Sequence, residues 1–218
     1  DARRRQLHVH VFHPAARRQR VQADGARRHE APVIRETGNA PRGPRKGRGA
    51  VGNRAGRFEA HEVVPFDDGW GSLDAEPPPL ETVVTPEPAR SLISRNDSPD
   101  VPFSQSINPY KGCEHGCVYC FARQTHPYLG LSAGLDFESR IFSKPNAPDL
   151  LRRELARNSY RPGVIVLGAN TDPYQPAEKR LEITRRILEV LAEHRHPVSV
   201  VTESTLVLRE LDLVVPVA

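Results

Sequence analysis

The sequence lacks the long apolar segment that a membrane protein needs. No stretch approaches the roughly 20 consecutive apolar residues of a membrane-spanning helix. The first residues are basic but are not followed by an apolar segment, so no secretory signal is visible. Cysteine is also scarce: there are three, and an odd number without a secretion signal argues against a disulfide framework. These absences predict a cytoplasmic protein without a membrane partner.

All the cysteines lie in one short run, Cys113–Cys120, with the spacing C-x3-C-x2-C. No fourth cysteine closes a tetrahedral site of four thiolates, a common form of structural zinc site. A 4Fe–4S cluster bound by three cysteines instead leaves one iron open for a substrate or cofactor. The pattern therefore favours an open iron–sulfur cluster. Three other interpretations stay open: a disulfide with one thiol left over, a zinc site completed by His115 or His126, and three unrelated thiols.

The positive charge of the chain is concentrated near its start. Residues 1–60 hold 15 lysines and arginines against 5 acidic residues, and the remaining residues carry −6, which gives the net charge of +4. Residues 1–47 alternate arginine, alanine, proline, glycine and histidine without apolar periodicity, a composition that cannot bury a core. We predict a disordered leader, artefactual or incidental to function. The alternative is a basic arm that binds nucleic acid through phosphate contacts.

Two further zones follow the leader. Residues 48–100 are rich in proline, glycine and acidic residues, and we expect them to wrap the domain in extended form, with a β-prone run at 81–84. From residue 101 onward, strands alternate with helices, which is typical of βα units and a parallel sheet. The predicted strands are 104–109, 140–144, 164–168 and 198–202, and the predicted helices are 148–157 and 177–194. Ser204 is placed to cap the helix after the last strand.

The polar motifs of this region all fall where predicted strands end. The cysteine run follows the first strand, Lys144 ends the second, residues 170–172 follow the third, and residues 202–204 end the fourth. Ligands of parallel β/α folds bind at the carboxyl ends of the strands, because the loops there are free to vary. We therefore expect these motifs to meet at one edge of the sheet.

The same motifs resemble those of a known enzyme family. Residues 106–126 (SINPYKGCEHGCVYCFARQTH) are similar to radical S-adenosylmethionine (SAM) enzymes, above all to the spore photoproduct lyase-like, or DNA repair photolyase-like, branch. The similarity covers residues 48–218 and continues through KPNAP at 144–148, NTDPYQP at 170–176, TES at 202–204 and LRELDL at 208–213. The cysteine run with an aromatic residue before its last cysteine is highly specific for the superfamily, and TDPYQP is fairly specific for the branch.

This resemblance implies an α/β fold, a partial (β/α)6 barrel of the radical SAM type, in residues 101–218. About three and a half βα units are predicted in the sequence, so we expect a truncated barrel, the N-terminal part of a core domain, in a chain that is a fragment. An incomplete barrel leaves an unpaired strand edge, which is a liability for folding.

The resemblance further implies that Cys113, Cys117 and Cys120 hold three irons of a 4Fe–4S cluster, whose fourth iron chelates SAM. Reductive cleavage of SAM then yields a 5′-deoxyadenosyl radical that abstracts a hydrogen atom from the substrate. The cofactors supply this chemistry, and the protein supplies positioning and exclusion of water. The electron implies a one-electron reductant of the flavodoxin or ferredoxin type as partner.

Residues outside the cysteine run receive SAM-binding roles from the same resemblance. Tyr119 is expected near the adenine, and Lys144 is expected to pair with the SAM carboxylate. Five polar residues at the ends of the third and fourth strands are expected to bind SAM or the substrate: Asn170, Thr171, Asp172, Thr202 and Ser204. Simpler interpretations stay open, namely a core aromatic, a surface lysine, and an ordinary turn that starts a helix.

Glu203 departs from the family pattern, in which lysine often stands at this position. A carboxylate there repels an anionic group of SAM or substrate. His115 and His126 flank the cysteine run and are expected either to tune the cluster and relay protons or to solvate a loop. Tyr174 and Gln175 are expected to face the substrate.

The leading substrate, by analogy, is a damaged pyrimidine pair, with DNA as partner, although a fold and a motif do not determine a substrate. The related lyase chemistry uses a further downstream cysteine as hydrogen donor, and this sequence has none. Basic and acidic residues nearly balance in residues 101–218, so no basic groove is evident there. The alternative function is a non-catalytic zinc- or cluster-binding module whose basic arm binds nucleic acid.

Overall fold

The structure is a computed structural model that describes residues 47–54, 69–70 and 79–214, together with strands at 8–11, 34–38 and 61–65. In chain order the strands are β1 (His8–Val11), β2 (Ile34–Gly38), β3 (His61–Pro65), β4 (Val83–Pro86), β5 (Ser94–Arg95), β6 (Gln105–Ile107), β7 (Tyr110–Lys111), β8 (Arg140–Ser143), β9 (Ile165–Leu167) and β10 (Val198–Thr202). The helices are α1 (Leu135–Ser139), α2 (Ala147–Leu155), α3 (Glu178–Leu181), α4 (Ile183–Glu193) and α5 (Leu211–Val214), with 3-10 helices at Phe121–Leu129 and Thr205–Glu210.

The described strands form three sheets. The largest has the order β1-β10-β9-β6-β5, and its neighbours are parallel except for β5, which runs antiparallel to β6. A second sheet has the order β4-β8-β7, with β4 parallel and β7 antiparallel to β8. The third sheet is the parallel pair β2-β3. Because β7 follows β6 after two residues, the chain passes directly from the largest sheet to the second one before it enters the cysteine run.

Strand β9 is the centre of the largest sheet. Its three residues, Ile165, Val166 and Leu167, are all buried, as expected for a parallel strand covered on both faces. Leu167 lies in register with Ile107 of β6 and with Val200 of β10. The carboxyl ends of these three strands therefore lie side by side, and the loops that follow them share one edge of the sheet.

Helices α2 and α4 pack on each other and cover the core. Helix α2 begins with Pro148 and Asp149 in its first turn, where proline needs no backbone partner and a carboxylate complements the helix dipole. Its buried Leu151 and the apolar face of α4 belong to the main hydrophobic core. That face consists of Ile183, Ile187, Leu188, Val190 and Leu191, spaced as an amphipathic helix requires.

The single helix predicted over residues 177–194 is wrong, because the chain breaks at Glu182 into α3 and α4. Glu182 adopts a left-handed conformation with φ of 49°. The buried carboxylate of Glu178 accepts hydrogen bonds from the backbone N–H groups of Ile183, Thr184 and Arg185 at 3.1, 2.9 and 3.2 Å. N–H groups at the start of a helix have no backbone partner within that helix. Glu178, which belongs to α3, therefore caps the N-terminus of α4.

The other predicted elements of residues 101–218 are confirmed. The four predicted strands correspond to β6, β8, β9 and β10, the predicted helix after the second strand is α2, and the β-prone run at 81–84 overlaps β4. Ser204 caps the 3-10 helix after β10, since its side chain accepts a hydrogen bond from the N–H of Leu206 at 3.2 Å. No helix within the described part of the chain is long and apolar enough to cross a membrane.

The predicted barrel is not closed among the described strands. Strand β8, the second strand of the expected barrel, pairs with β4 and β7, whereas β6 pairs directly with β9. The barrel therefore stays a prediction. The predicted disordered leader falls mostly outside the described residues; within residues 1–47 the structure gives strands β1 and β2 and residue 47.

Candidate functional site

The cysteine run leaves β7 through a tight turn at Gly112. Gly112 has φ of +77°, and a Cβ atom at this position would lie 3.0 Å from His126 Cε1, Ile141 Cδ1 and the carbonyl oxygen of Phe137. Only glycine fits this close approach without strain. The next residue, Cys113, donates its backbone N–H to the Phe137 carbonyl at 2.9 Å. The turn therefore sets the first cysteine against helix α1.

Cys120 lies near both other thiols of the run. Cys113 is 6% exposed and packs with Ala122 and Phe137, while Cys117 and Cys120 are partly exposed. Charge on Cys120 acts on the pKa of both other thiols. One thiol of the set is therefore buried and two face outward, which leaves the group accessible from one side.

Burial raises the pKa of the Cys113 thiol to about 12, although the backbone N–H groups of His115 and Asp172 act to lower it. N–H groups beside a sulfur stabilise a thiolate and help to set the potential of an iron–sulfur cluster. Coordination by a metal deprotonates a thiol outright, so a bound cluster overrides the effect of burial. The N–H groups near Cys113 are therefore already positioned to stabilise its thiolate.

Glu203 contacts the outer part of the run. Its Oε2 atom lies 3.1 Å from Cys117 Sγ, and its Oε1 atom accepts a hydrogen bond from the Tyr119 hydroxyl at 2.8 Å. Burial, followed by the Glu203 carboxylate, raises the pKa of Cys117 to about 11. Tyr119 is 62% exposed, so its ring lies at the surface beside the thiols and not in the core.

The cysteine run is not arranged as a site for a single metal ion. Among the residues that the structure describes, no group of three or more histidine, cysteine, aspartate or glutamate side chains is placed to hold one. The groups that a larger thiolate-bound centre would meet here are of both kinds: the N–H groups near Cys113 would favour its thiolate, whereas the carboxylate of Glu203 opposes any further negative charge beside Cys117.

Arg123 holds the cysteine run in place through hydrogen bonds to its backbone. Its guanidinium donates hydrogen bonds to the carbonyl oxygens of Gly116 at 2.6 Å and Cys117 at 3.0 Å. The same group donates to the carboxylate of Glu138 at 2.5 Å and lies 5.1 Å from the centre of the Phe137 ring. Arg123 thus ties the backbone of the run to helix α1.

Glu138 in turn binds the segment at residues 47–54. It is fully buried, and its carboxylate accepts hydrogen bonds from the backbone N–H groups of Arg48 at 2.7 Å, Gly49 at 3.1 Å and Ala50 at 2.7 Å. Burial acts to raise the pKa of Glu138, but the bonds from Arg123 and these N–H groups outweigh it and lower the pKa. Loss of one of these donors would leave the buried charge incompletely paired. Glu138 therefore stabilises the loop only while Arg123 and the three N–H groups all contact it.

Gln175 also holds the cysteine run in place through its side-chain amide. It is fully buried, its side-chain oxygen accepts a hydrogen bond from the Glu114 N–H at 3.0 Å, and its amide nitrogen donates to the Gly112 carbonyl at 3.2 Å. Both ends of the amide therefore hold the cysteine run. Gln175, which was expected to face the substrate, instead positions the loop.

The residues predicted to bind SAM at the carboxyl ends of the strands have polar groups that bond to other protein groups, chiefly of Asn108 and Tyr110. Lys144 donates its ammonium group to the Asn108 carbonyl at 2.7 Å, and burial lowers its pKa. The Asn108 side chain accepts the N–H of Asn170 at 2.8 Å. The Thr171 hydroxyl donates to the Tyr110 carbonyl at 2.7 Å. These bonds join the loops after β6, β8 and β9.

Asp172 links the loop after β9 to the end of β10. Its carboxylate accepts hydrogen bonds from the Thr202 hydroxyl and the Glu203 N–H, each at 2.8 Å. Its Oδ2 atom also lies 3.5 Å from Nε2 of His115. Asp172 therefore connects the third and fourth strands to the cysteine run, and in this arrangement it acts as a positioning residue.

The two flanking histidines have different surroundings. His126 is fully buried, its Nε2 atom lies 3.1 Å from the Arg140 carbonyl, and its ring packs edge-on to Phe137 at 5.5 Å. Burial lowers the pKa of His126, so it is a neutral core residue beneath the run. His115 is partly exposed beside Asp172.

Arg123 and Glu138 were missed by the sequence analysis. Arg123 lies three residues after the last cysteine, and its position so close to the run was the available signal. Glu138 gave no signal, because the burial of a carboxylate depends on contacts with residues about 90 positions away.

The chain is similar to proteins from distant organisms. It is 44% identical over 118 residues to uncharacterized proteins of Mycobacterium tuberculosis and Mycobacterium bovis, an alignment that takes in 54% of this chain and 35% of each relative. It is 36% identical over 107 residues to an uncharacterized protein of Methanocaldococcus jannaschii, with 49% of this chain and 38% of the relative aligned. No family model matches the sequence, and no solved structure matches it. The chain spans little more than a third of the length of the curated relatives it matches.

Proposed function

We propose that this chain carries the cofactor-binding part of a radical SAM enzyme. One observation carries the proposal: three free cysteines lie in a single loop beside the ends of parallel strands, with Cys120 near the other two and backbone N–H groups near the buried Cys113. Cys113, Cys117 and Cys120 would hold a 4Fe–4S cluster. Only three thiolates are available in the run, so one iron remains open for the amino and carboxylate groups of SAM.

A cluster and SAM bound here would supply the one-electron and hydrogen-abstraction chemistry. The protein residues supply position. Arg123 and Gln175 hold the run from two sides, and Asp172 joins it to β10. The partly exposed Cys117 and Cys120 leave the outer face of the run open for SAM, with Tyr119 at its rim.

Glu203 has to move for this function. Its carboxylate lies against Cys117 Sγ, and a thiolate in a cluster would repel it. Glu203 is exposed, so its side chain is free to turn toward solvent without loss of core packing. Tyr119 loses its hydrogen-bond partner in that movement and becomes available to the adenine.

The substrate, partners and location are part of the same proposal. A damaged pyrimidine pair in DNA is the substrate suggested by the resemblance, and a flavodoxin- or ferredoxin-type protein is the electron donor. The thiols have to stay reduced before the cluster is assembled, which places the protein in the cytoplasm.

Metal analysis of cysteine variants tests the proposal. The full chain is reconstituted anaerobically with iron and sulfide beside C113S, C117S and C120S, and iron, sulfide and zinc are measured. We expect about four irons per wild-type chain and a large loss in each variant, because each thiolate holds a different iron. Stoichiometric zinc without iron would instead support a structural metal-binding module.

A further inference from the structure

A cavity of about 370 Å³ lies between the loop after β9 and the 3-10 helix that follows β10. Its volume falls in the range of small-molecule sites. It adjoins the cysteine run through His115, and none of the three cysteines lines it. The cavity is therefore a neighbour of the proposed cluster site and not the cluster site itself.

Unpaired polar atoms are concentrated at this cavity. Three of its lining residues have a buried side-chain atom without a hydrogen-bond partner in the described part of the chain: His115 Nε2, the Tyr174 hydroxyl and Arg209 Nη2. Buried polar atoms are nearly always hydrogen-bonded, so each exception needs an explanation. Tyr174 is the clearest case, because the residue is only 1% exposed. The Tyr174 hydroxyl can therefore donate to a ligand, whereas His115 Nε2 and Arg209 Nη2 already lie 3.5 and 3.7 Å from the carboxylates of Asp172 and Glu178.

The lining has the character of an anion site. Lys179, Arg209, Tyr174 and Ser204 offer hydrogen-bond donors, and no carboxylate lines the cavity. Burial raises the pKa of Tyr174, so its hydroxyl keeps the proton and can donate it in a hydrogen bond. Lys179 is exposed and brings a mobile positive charge to the rim.

Carboxylates surround Arg209 outside the cavity lining. Glu210 accepts a hydrogen bond from its Nε atom at 2.6 Å, while Glu182 and Glu178 lie 3.5 and 3.7 Å from its other nitrogens. These contacts hold the guanidinium in one orientation. Its Nη2 atom, the one 3.7 Å from Glu178, makes no hydrogen bond within the described residues, so a ligand oxygen can bind it in competition with that carboxylate.

We propose that this cavity binds the oxyanion group of a small ligand, a phosphate or a carboxylate, through Tyr174, Lys179 and Arg209. Binding of the anion needs only these protein groups. That the ligand is the substrate of the radical chemistry rests on the proposed function, since His115 joins the cavity to the cysteine run.

The test measures anion binding by the metal-free full chain. Thermal unfolding and calorimetric titration are recorded with inorganic phosphate and with acetate, against chloride at equal ionic strength. The variants are Y174F, which removes only an unpaired hydroxyl, and K179Q. The control is R180Q, a neighbouring exposed residue of α3 that does not line the cavity.

We expect saturable binding with a rise in unfolding temperature, because a ligand that binds the native state stabilises it. Y174F should fold normally and weaken binding about tenfold, the value of a hydrogen bond to a charged group. K179Q should weaken it about two- to fivefold, and R180Q should leave it unchanged. Saturation by phosphate alone assigns a phosphate ligand, and saturation by acetate alone assigns a carboxylate.

Absence of saturable binding by either anion, or equal binding by wild type and Y174F, would overturn the proposal. This result is separable from failure of the proposed function. Anion binding without a SAM-responsive cluster would support the cavity assignment and contradict the radical chemistry. A SAM-responsive cluster without anion binding would support the radical chemistry and contradict the cavity assignment.

Discussion

Glu203 bonds two members of the cysteine run at once: one carboxylate oxygen lies 3.1 Å from Cys117 Sγ, and the other accepts the Tyr119 hydroxyl at 2.8 Å. A negative charge therefore lies beside one of the three thiols that the proposed cluster needs. The contact disfavours the thiolate form of Cys117. The reactivity of this thiol can therefore test the contact.

E203Q should increase the reactivity of Cys117. Burial and then the Glu203 carboxylate raise the pKa of this thiol to about 11, so removal of the carboxylate charge lowers the pKa and increases the thiolate fraction. Alkylation by iodoacetamide at pH 8 should accelerate about tenfold for each unit by which the pKa falls. Mass spectrometry of the labelled peptides measures the rate for each cysteine. Cys113, buried away from Glu203, is the internal control, and an equal acceleration at both cysteines would contradict the account.

E138Q should destabilise the chain by about 3 kcal/mol, because it leaves the buried guanidinium of Arg123 without its anionic partner. The free energy of unfolding from urea titration measures this loss. E193Q breaks the exposed pair of Glu193 with Arg152, whose nitrogen lies 2.9 Å away, and should have little effect. Equal losses in the two variants would show that the Arg123–Glu138 network does not hold the cysteine run.

Two kinds of local sequence pattern predicted most of the strands and helices that the structure describes in residues 101–214. The apolar run at β9 and the amphipathic spacing of α4 are local patterns, and both elements formed where they were expected. The break at Glu182 was not predictable, since it depends on the buried carboxylate of Glu178 folding back onto three later N–H groups. The pairing of β8 with β4 also escaped prediction, because strand partners far apart in sequence leave no local pattern.

Local sequence patterns also predicted where the candidate site lies, but they did not predict the contacts that its residues make. The cysteine spacing identified the run, and the strand ends identified the loops that meet it. The sequence could not reveal that Asp172 and Thr171 bond within the protein, or that Arg123 supports the run. Those roles depend on which polar groups face each other after folding.

Stability should fall as the pH drops below neutral, because burial lowers the pKa of His126 in the folded state. The unfolded chain then takes up a proton first, so the contribution of His126 is complete above about pH 6.5 and is lost between that value and the folded-state pKa. The slope in this window is about 1.4 kcal/mol per pH unit for each such histidine.

Urea titrations at several pH values measure this slope. H126F should flatten it and leave only the part due to His196, whose pKa is also lowered by burial. A slope that is the same in wild type and H126F would show that His126 is not buried in a neutral state.

G168A should lower the free energy of unfolding by about 1–3 kcal/mol, the cost of a strained backbone position. Gly168 follows β9 and has φ of +85°, and a Cβ atom there would lie 2.5 Å from both Pro173 Cδ and the Val201 carbonyl oxygen. G52A is the matched control, because a Cβ at Gly52 meets nothing within 4 Å. Thermal unfolding of both variants compares them, and an unchanged G168A would refute the close approach of β9 and β10 beside the site.

The central claim is that the cysteine run holds a cluster with one open iron that binds SAM. Electron paramagnetic resonance of the anaerobically reconstituted, dithionite-reduced chain, with and without SAM, tests it most directly. The account predicts about four irons per chain and a spectrum that shifts when SAM is added. A cluster signal that does not respond to SAM, or a chain that takes up zinc and no iron, would contradict it.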